Sequence, residues 1–378
     1  MNELMEYREF GKTGLQISAL GFGTMRLPEV CRGGVWQVDD EIATPLIRAA
    51  YDAGINYYDT AWGYCHEDGQ RAVGKAIAPF RENIYLSTKL PLWNLDDPQD
   101  FWKYLMTALE RLDTGYIDFY HFHALNRKLW GKVRELKLLD KMERARSLGL
   151  IRHVSFSFHD DPALLEEIVD TGAFDSLLCQ YNLIDRTNEK AMAYAKAAGV
   201  GVVVMGPLGG GNIAQGGADF LARFSSDAES AAELALRFVL GNSNVTCALS
   251  GMASQEELAQ NLAYAARAQG SAREEWAALA GTSDQIRALG DLYCTGCGYC
   301  EVCPKGILPA SVFKAYNMKT VWGLDKAAAR RISSFGSEGA SALPEACVRC
   351  GACAARCPQK IDIPAELART WAALRAHQ

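Results

Sequence analysis

The chain has 378 residues, 49% of them hydrophobic, with a formal net charge of −6; that length allows two domains. An acidic chain of ordinary globular composition argues against nucleic acid and against anionic membrane surfaces as partners. The start carries Glu3 and Glu6 without an apolar run, and no stretch reaches the ~20 apolar residues of a membrane span, so neither a secretory signal nor a membrane helix is expected.

Short apolar runs then alternate with amphipathic stretches. Strands are predicted over 17–22, 57–59, 84–88, 117–121, 151–156, 176–179, 200–205 and 245–249. Helices are predicted over 39–53, 70–79, 98–112, 134–148, 161–171, 189–198, 228–241 and 254–268. Eight strands and eight helices in about 255 residues predict an α/β fold, a (β/α)8 TIM barrel spanning residues 1–275. A doubly wound sheet is the alternative, but Gly21-Phe22-Gly23 is no dinucleotide fingerprint.

Such a barrel carries its chemistry at the C-terminal ends of its strands. Those ends read Asp59 after the second strand, Lys89 after the third and His123 after the fourth, with Tyr64 in the loop beyond Asp59. Reducing a carbonyl needs a proton donor for the developing alkoxide. Tyr64 could supply the proton if a cation, Lys89, lowered its pKa. Asp59 would balance the lysine, and His123 would hold the carbonyl oxygen.

Asp59-Thr60-Ala61-Trp62-Gly63-Tyr64 resembles the D-T-A-x-x-Y motif of the aldo/keto reductases. Ser87-Thr88-Lys89 resembles their S-T-K segment, and the stretch from Ile117 to His123 resembles I-D-L-Y-L-x-H. Gln180-Tyr181-Asn182, Gly206-Pro207-Leu208 and the segment from Gly251 to Asn261 continue the resemblance, which covers residues 5–270. It implies Tyr64, Lys89, Asp59 and His123 as the catalytic set. It also implies a dinucleotide held by Gly23, Thr24, Asp59, Ser157, Gln180, Met205, Pro207, Leu208, Gly251, Ser254 and Asn261.

Three positions depart from the family pattern. The asparagine expected after Ser157 is Phe158, the tyrosine expected to stack on the nicotinamide is Met205, and the arginine expected four residues before Asn261 is Glu257. An acidic side chain there repels a 2′-phosphate, so NAD is favoured over NADP. Other residues stay open at this level. Cys65-His66-Glu67-Asp68 reads as a solvated loop or as a metal or acid/base site. His121 shares the strand parity of His123 and reads as a second imidazole near the site or as core. Trp62, Trp93 and Trp130 read as loop residues that line an aromatic cleft or simply pack. Cys179 and Cys247 read as core.

A connector over 276–290 leads to a small domain over 291–378 holding two cysteine runs. The first is Cys294, Cys297, Cys300 and Cys303 before Pro304; the second is Cys347, Cys350, Cys353 and Cys357 before Pro358. A C-x2-C-x2-C run wraps three corners of a [4Fe–4S] cube, and the Cys-Pro ligand usually serves the other cube. One cluster is therefore assigned to Cys294, Cys297, Cys300 and Cys357, the other to Cys347, Cys350, Cys353 and Cys303. Zinc would need fewer thiolates, and disulfides suit small secreted domains. Between the runs, 310–317 and 324–333 read as helices, so the module resembles the α-helical dicluster ferredoxins. Thiolate-bound clusters fit a cytoplasmic setting.

The expected protein is an iron–sulfur oxidoreductase of the aldo/keto reductase type. It would reduce a carbonyl, or oxidise an alcohol, using a nicotinamide cofactor, electrons relayed by two [4Fe–4S] clusters, or both. An external ferredoxin or flavoprotein is a possible partner. Elimination or isomerisation by the tetrad, and an electron-transfer subunit with an inactive barrel, are the alternatives.

Overall fold

A computed structural model describes residues 5–224, 226–268, 272–288, 290, 292, 294, 300–337, 341–357 and 361–376. Eight strands close a parallel barrel: β1 Leu20–Gly23, β2 Tyr57–Asp59, β3 Tyr85–Leu90, β4 Ile117–Leu125, β5 Ile151–Phe158, β6 Ser176–Gln180, β7 Gly201–Met205 and β8 Cys247–Ser250. Each pairs with its sequence neighbours, and β8 closes on β1. Parallel strands need long crossovers, and the helices between them supply these.

Alternation along the strands sorts the side chains. Tyr57, Phe119, Leu178, Val203, Cys247 and Leu249 fill the barrel floor. Phe10 plugs that floor from outside. Its ring packs edge-on to Phe119 at 5.0 Å, and a Cβ at Gly201 would meet it at 2.7 Å. Burying one such ring contributes about 1.5–3 kcal/mol. His153 stacks on Phe119 in the same region, at 4.8 Å. Cys179 and Cys247 are fully buried, as their apolar segments imply.

Several element ends differ from expectation. The segment 17–22 is two strands: Gln16–Ser18 pairs antiparallel with Tyr7–Glu9, and only Leu20–Gly23 joins the barrel. The helix expected over 134–148 is two helices, Arg127–Glu135 and Leu138–Ser147, because Lys137 adopts a left-handed φ of 50° that breaks the ladder. Trp130 therefore lies in a helix, only 2% exposed, and packs rather than lining a cleft. β4 runs past His121 to Leu125, with a bulge between Phe122 and Leu125. A second hairpin, Glu29–Arg32 with Val35–Val38, follows β1; the Gly33-Gly34 turn between alternating residues was its signal.

By contacts the chain divides into two compact units, Met1–Pro207 with Leu236–Trp276, and Leu208–Ala235 with Ala277–Gln378. The helix Ala272–Ala288 runs through the segment expected as a connector. In the second unit the helices Pro309–Thr320, Asp325–Ser333 and Ile363–Arg375 bury Phe313, Ile332, Ile363 and Leu367 together with the cysteines. The two inter-run helices match the stretches read as helical. No helix among the described residues is long and apolar enough to cross a membrane.

Candidate active site

The strand ends bring four side chains to one place at the mouth. Lys89 Nζ donates to Asp59 Oδ2 at 2.6 Å, to the Thr60 carbonyl at 2.8 Å and to Tyr64 OH at 3.3 Å. Ser87 Oγ donates to Asp59 Oδ1 at 2.6 Å, and Thr24 Oγ1 donates to the Asp59 carbonyl at 2.9 Å. The carboxylate is thus held by two neighbours and its backbone by a third. The rings of Tyr64 and His123 meet edge-on at 6.4 Å, and Trp93 lies 4.8 Å from His123. Trp93 is half exposed, so it can meet a ligand at the mouth. Trp62 instead packs under Arg111 and against Tyr104.

The electrostatics differ from the expected depression of Tyr64. Burial raises its pKa, and Lys89 offsets only part of that rise. The reason is that Asp59 already neutralises the ammonium beside it. Burial pulls Lys89 down, but Asp59 and then Tyr64 override it, and the lysine stays charged. Tyr64 therefore sits as a phenol with a proton to give. Burial, and then Lys89, push His123 down to about 2, which leaves a neutral imidazole. His121 neighbours Lys89 on β3 and Ser155 on β5 in register and is fully buried. Burial, and then Lys89, push it to about 3 against a contact with the Phe156 backbone, which leaves a neutral imidazole.

The loop from Cys65 to Asp68 is a strained turn. Cys65, His66 and Glu67 all take left-handed φ values, 52°, 52° and 68°. Such backbone costs about 1–2 kcal/mol per residue and persists only where contacts over-determine it. Cys65 Sγ donates to the Thr24 carbonyl, His66 meets Glu29 at 2.5 Å and stacks on Trp36, and Glu67 pairs with Arg111. Asp68 takes Arg71 and the Val38 N–H. The turn closes with Gly69 N–H donating to the Tyr64 carbonyl at 3.1 Å, which anchors the backbone of Tyr64. At this turn each of the four side chains is taken by a partner, none joins a group that could hold a metal ion, and burial raises the Cys65 thiol to about 11.

Around the mouth, Ser157 Oγ accepts the N–H of Ala124 in the β4 bulge at 2.7 Å, leaving its own proton free to donate. Gln180 and Met205 are register partners on β6 and β7. Gly206 has φ +64°, and a Cβ there would meet the Gln180 amide at 2.5 Å, so the position needs glycine twice over. Gly23 pairs with Asp59. Past β8, Gly251 lets the Arg26 stem approach, and Asn261 Nδ2 donates to Ser250 Oγ at 3.0 Å. Ser254 and Glu257 form a capping box on the helix Gln255–Ala268. Ser254 Oγ accepts the Glu257 N–H at 3.2 Å, and Glu257 Oε2 accepts the Ala253 N–H at 2.8 Å. Pro207 ends the first unit's segment and Leu208 begins the second's.

In the second unit, Cys303 joins Cys347, Cys350 and Cys353 around one cavity, with Ile307, Pro309 and Leu367 as its apolar wall. Arg349 and Gly351 take φ values of 52° and 75°, so the chain turns sharply between the cysteines. Four thiols around one cavity fit a [4Fe–4S] group. Cys294, Cys300 and Cys357 pack on the same core. Cys297 and Pro358 lie outside the described residues.

Residues 19–280 match the model of the aldo/keto reductase family. The chain belongs to that family. Residues 293–361 match a 4Fe-4S dicluster domain. The chain is 28% identical over 254 residues to the aldo-keto reductase dtxS3 of Metarhizium robertsii, covering 56% of this chain and 66% of that one, just under two thirds of its length. It is 27% identical over 288 residues to an L-galactose dehydrogenase of Arabidopsis thaliana, covering 68% and 88%. The aldo-keto reductase AKR11C1 from Bacillus halodurans superposes with a TM-score of 0.64 at 24% identity, over 74% of this chain and 96% of its own, a likeness of fold. The protein is thus an oxidoreductase of a family that acts on small carbonyl compounds with nicotinamide cofactors, and it carries a 4Fe-4S domain.

Sequence reasoning passed over Glu29 and Trp36, which come from the second hairpin and clamp His66. Thr24, expected at the dinucleotide, also binds the Asp59 backbone. His121, where the motif quoted for the family carries leucine, is the register partner of Lys89 on the neighbouring strand; the parity it shares with His123 was the available signal.

Proposed function

We propose that the barrel interconverts a small carbonyl compound and its alcohol by hydride exchange with a nicotinamide cofactor, NADH in preference to NADPH. The observation that carries the reading is Lys89, whose ammonium bridges Asp59 and a protonated Tyr64 beside a neutral His123. The cofactor, when bound, supplies or accepts the hydride. Tyr64 gives its proton to the oxygen at the reacting carbon, and Lys89 stabilises the phenolate left behind. His123 donates an N–H to the same oxygen and orients it. Trp93 offers an apolar face to a ring or alkyl group of the substrate. Ser157 and Gln180 have hydrogen-bonding capacity for a carboxamide, and Met205 can pack on its ring. Glu257, held at the helix start by its capping box, places negative charge where a 2′-phosphate would need positive charge.

The clusters are assigned to Cys294, Cys297, Cys300 and Cys357, and to Cys347, Cys350, Cys353 and Cys303. Clusters move electrons singly whereas hydride moves two, so we place them in a relay with an external one-electron carrier. The shared cavity of Cys303 with the second run favours the crossed arrangement. Cys303→Ser is expected to damage the cluster of the second run, seen as loss of roughly half the iron and of one electron-paramagnetic signal. Damage confined to the first run's cluster would show local ligation instead.

The barrel reading is tested with anaerobically purified protein, NADH or NADPH, and a panel of aliphatic, aromatic and sugar aldehydes. NADH is expected to be consumed faster than NADPH, and Tyr64→Phe to lower kcat by about 10²–10⁴-fold with little change in KM. If neither nucleotide binds or turns over at saturation, hydride exchange is wrong.

A further inference from the structure

We propose that the surface around Cys350 is the port at which an acidic one-electron carrier protein docks and passes electrons to the clusters. The inference rests on the cluster assignment above, and not on the barrel chemistry. Among the described cysteines of the two runs, Cys350 alone is exposed; Cys300 and Cys353 are buried and the others half-buried. Tunnelling falls steeply with distance, so among the described ligands Cys350 offers the shortest way in. Val348, two residues before it and lining the same cavity, is 58% exposed. An apolar side chain left open beside an exposed ligand is what the dry centre of a small interface needs.

Charge identifies the partner. Lys305, Arg349 and Arg356 flank the four cysteines of this cavity in sequence or line it, and all three are exposed. None of them makes an ion pair among the described residues. Two acids of this unit are already neutralised: Glu345 pairs with Arg375 at 2.7 Å and Glu366 pairs with Arg369, while Asp362 caps the Ala365 N–H and keeps its charge. Glu301 is exposed, but it follows Cys300 in the first run. The local balance is positive on a chain whose net charge is −6. A basic rim around an apolar centre fits an acidic carrier in a small, transient contact, of the kind that buries less than about 1,200 Å². Each encounter moves one electron: the carrier is oxidised by one and one cluster is reduced by one, with no bond made or broken.

The signs separate this port from the alternatives. If the net charge of the chain governed encounter, an acidic carrier would be repelled and salt would speed the reaction. If the port governs it, salt slows the reaction. The test uses the full-length protein with its iron, purified without oxygen, and a reduced acidic [2Fe–2S] ferredoxin as the probe, with cluster reduction followed by stopped flow. The second-order rate is expected to fall about tenfold between about 0.05 M and about 0.5 M NaCl. The double variant Lys305→Glu, Arg356→Glu should reverse that salt dependence and weaken calorimetric binding of the oxidised probe. Its iron content and its reduction by dithionite should stay as in the wild type. If the double variant loses iron, single Lys305→Gln and Arg356→Gln variants decide, each expected to cut the low-salt rate about twofold or more. A wild-type rate that rises with salt, or variants that match wild type, overturns the port. Protein that binds no iron overturns the cluster assignment and the port with it. Absence of NADH turnover leaves both standing, since neither depends on the barrel.

Discussion

Lys89→Met is expected to destabilise the barrel by about 3–5 kcal/mol and to abolish turnover together. The lysine and Asp59 are both almost fully buried, at 1% and 4% side-chain exposure, and 2.6 Å apart. Removing the cation leaves a carboxylate out of water with only Ser87 Oγ and no counter-charge. The cost is then that of an uncompensated buried charge, which exceeds what the pair contributes over an apolar replacement. The same change frees Tyr64 from the ammonium 3.3 Å away, so its phenolate loses its only close cation among the described groups. Urea unfolding followed by circular dichroism measures the first effect. The double variant Asp59→Asn, Lys89→Met should recover much of the stability and none of the activity. Recovery of neither, or a single variant as stable as wild type, would count against a buried charged pair.

Acid is expected to unfold the barrel through its two interior histidines. An unfolded histidine titrates near 6.5, whereas burial holds His121 at about 3 and His123 at about 2. Between those limits the unfolded chain binds protons that the folded chain refuses. Stability contributed by the neutral rings is complete above about pH 6.5 and is lost as pH falls toward about 3, at about 1.4 kcal/mol per pH unit for each ring. His121→Leu removes one of the two. The slope of unfolding free energy against pH should drop by one proton between about pH 6 and about pH 4. Stability at neutral pH should also rise, by about 1–3 kcal/mol, because an apolar side chain replaces a fully buried polar ring. An unchanged slope would mean that His121 is not the group refusing the proton.

Which residues stand at the mouth was legible because strand ends are legible. Asp59, Lys89 and His123 fall where period-2 apolar runs stop, and a parallel barrel puts those stops on one rim. The turn that carries Tyr64 was not legible. Three consecutive non-glycine residues in left-handed backbone contradict local preference. They hold there through Glu29, Trp36 and Arg111, which lie 37, 30 and 44 residues from the side chains they grip. The same limit explains Lys137, which splits one periodic stretch into two helices. It explains Trp130 as well, whose aromatic character was equally consistent with a cleft or a packed helix face.

By itself the amino-acid sequence determined the alternation of strands and helices, the two cysteine runs and the order of the four mouth residues. Those are matters of periodicity and spacing, which a chain carries locally. Tertiary structure alone decided the state of the groups. Tyr64 keeps its proton because burial disfavours the phenolate and Asp59 offsets the pull of Lys89, and His121 is neutral because β3 and β5 close water away from it. Cys303 meets Cys347, 44 residues on, because the helices between them fold back to one cavity. Charge, burial and proximity belong to the assembled neighbours of a residue, and no stretch of sequence contains those neighbours.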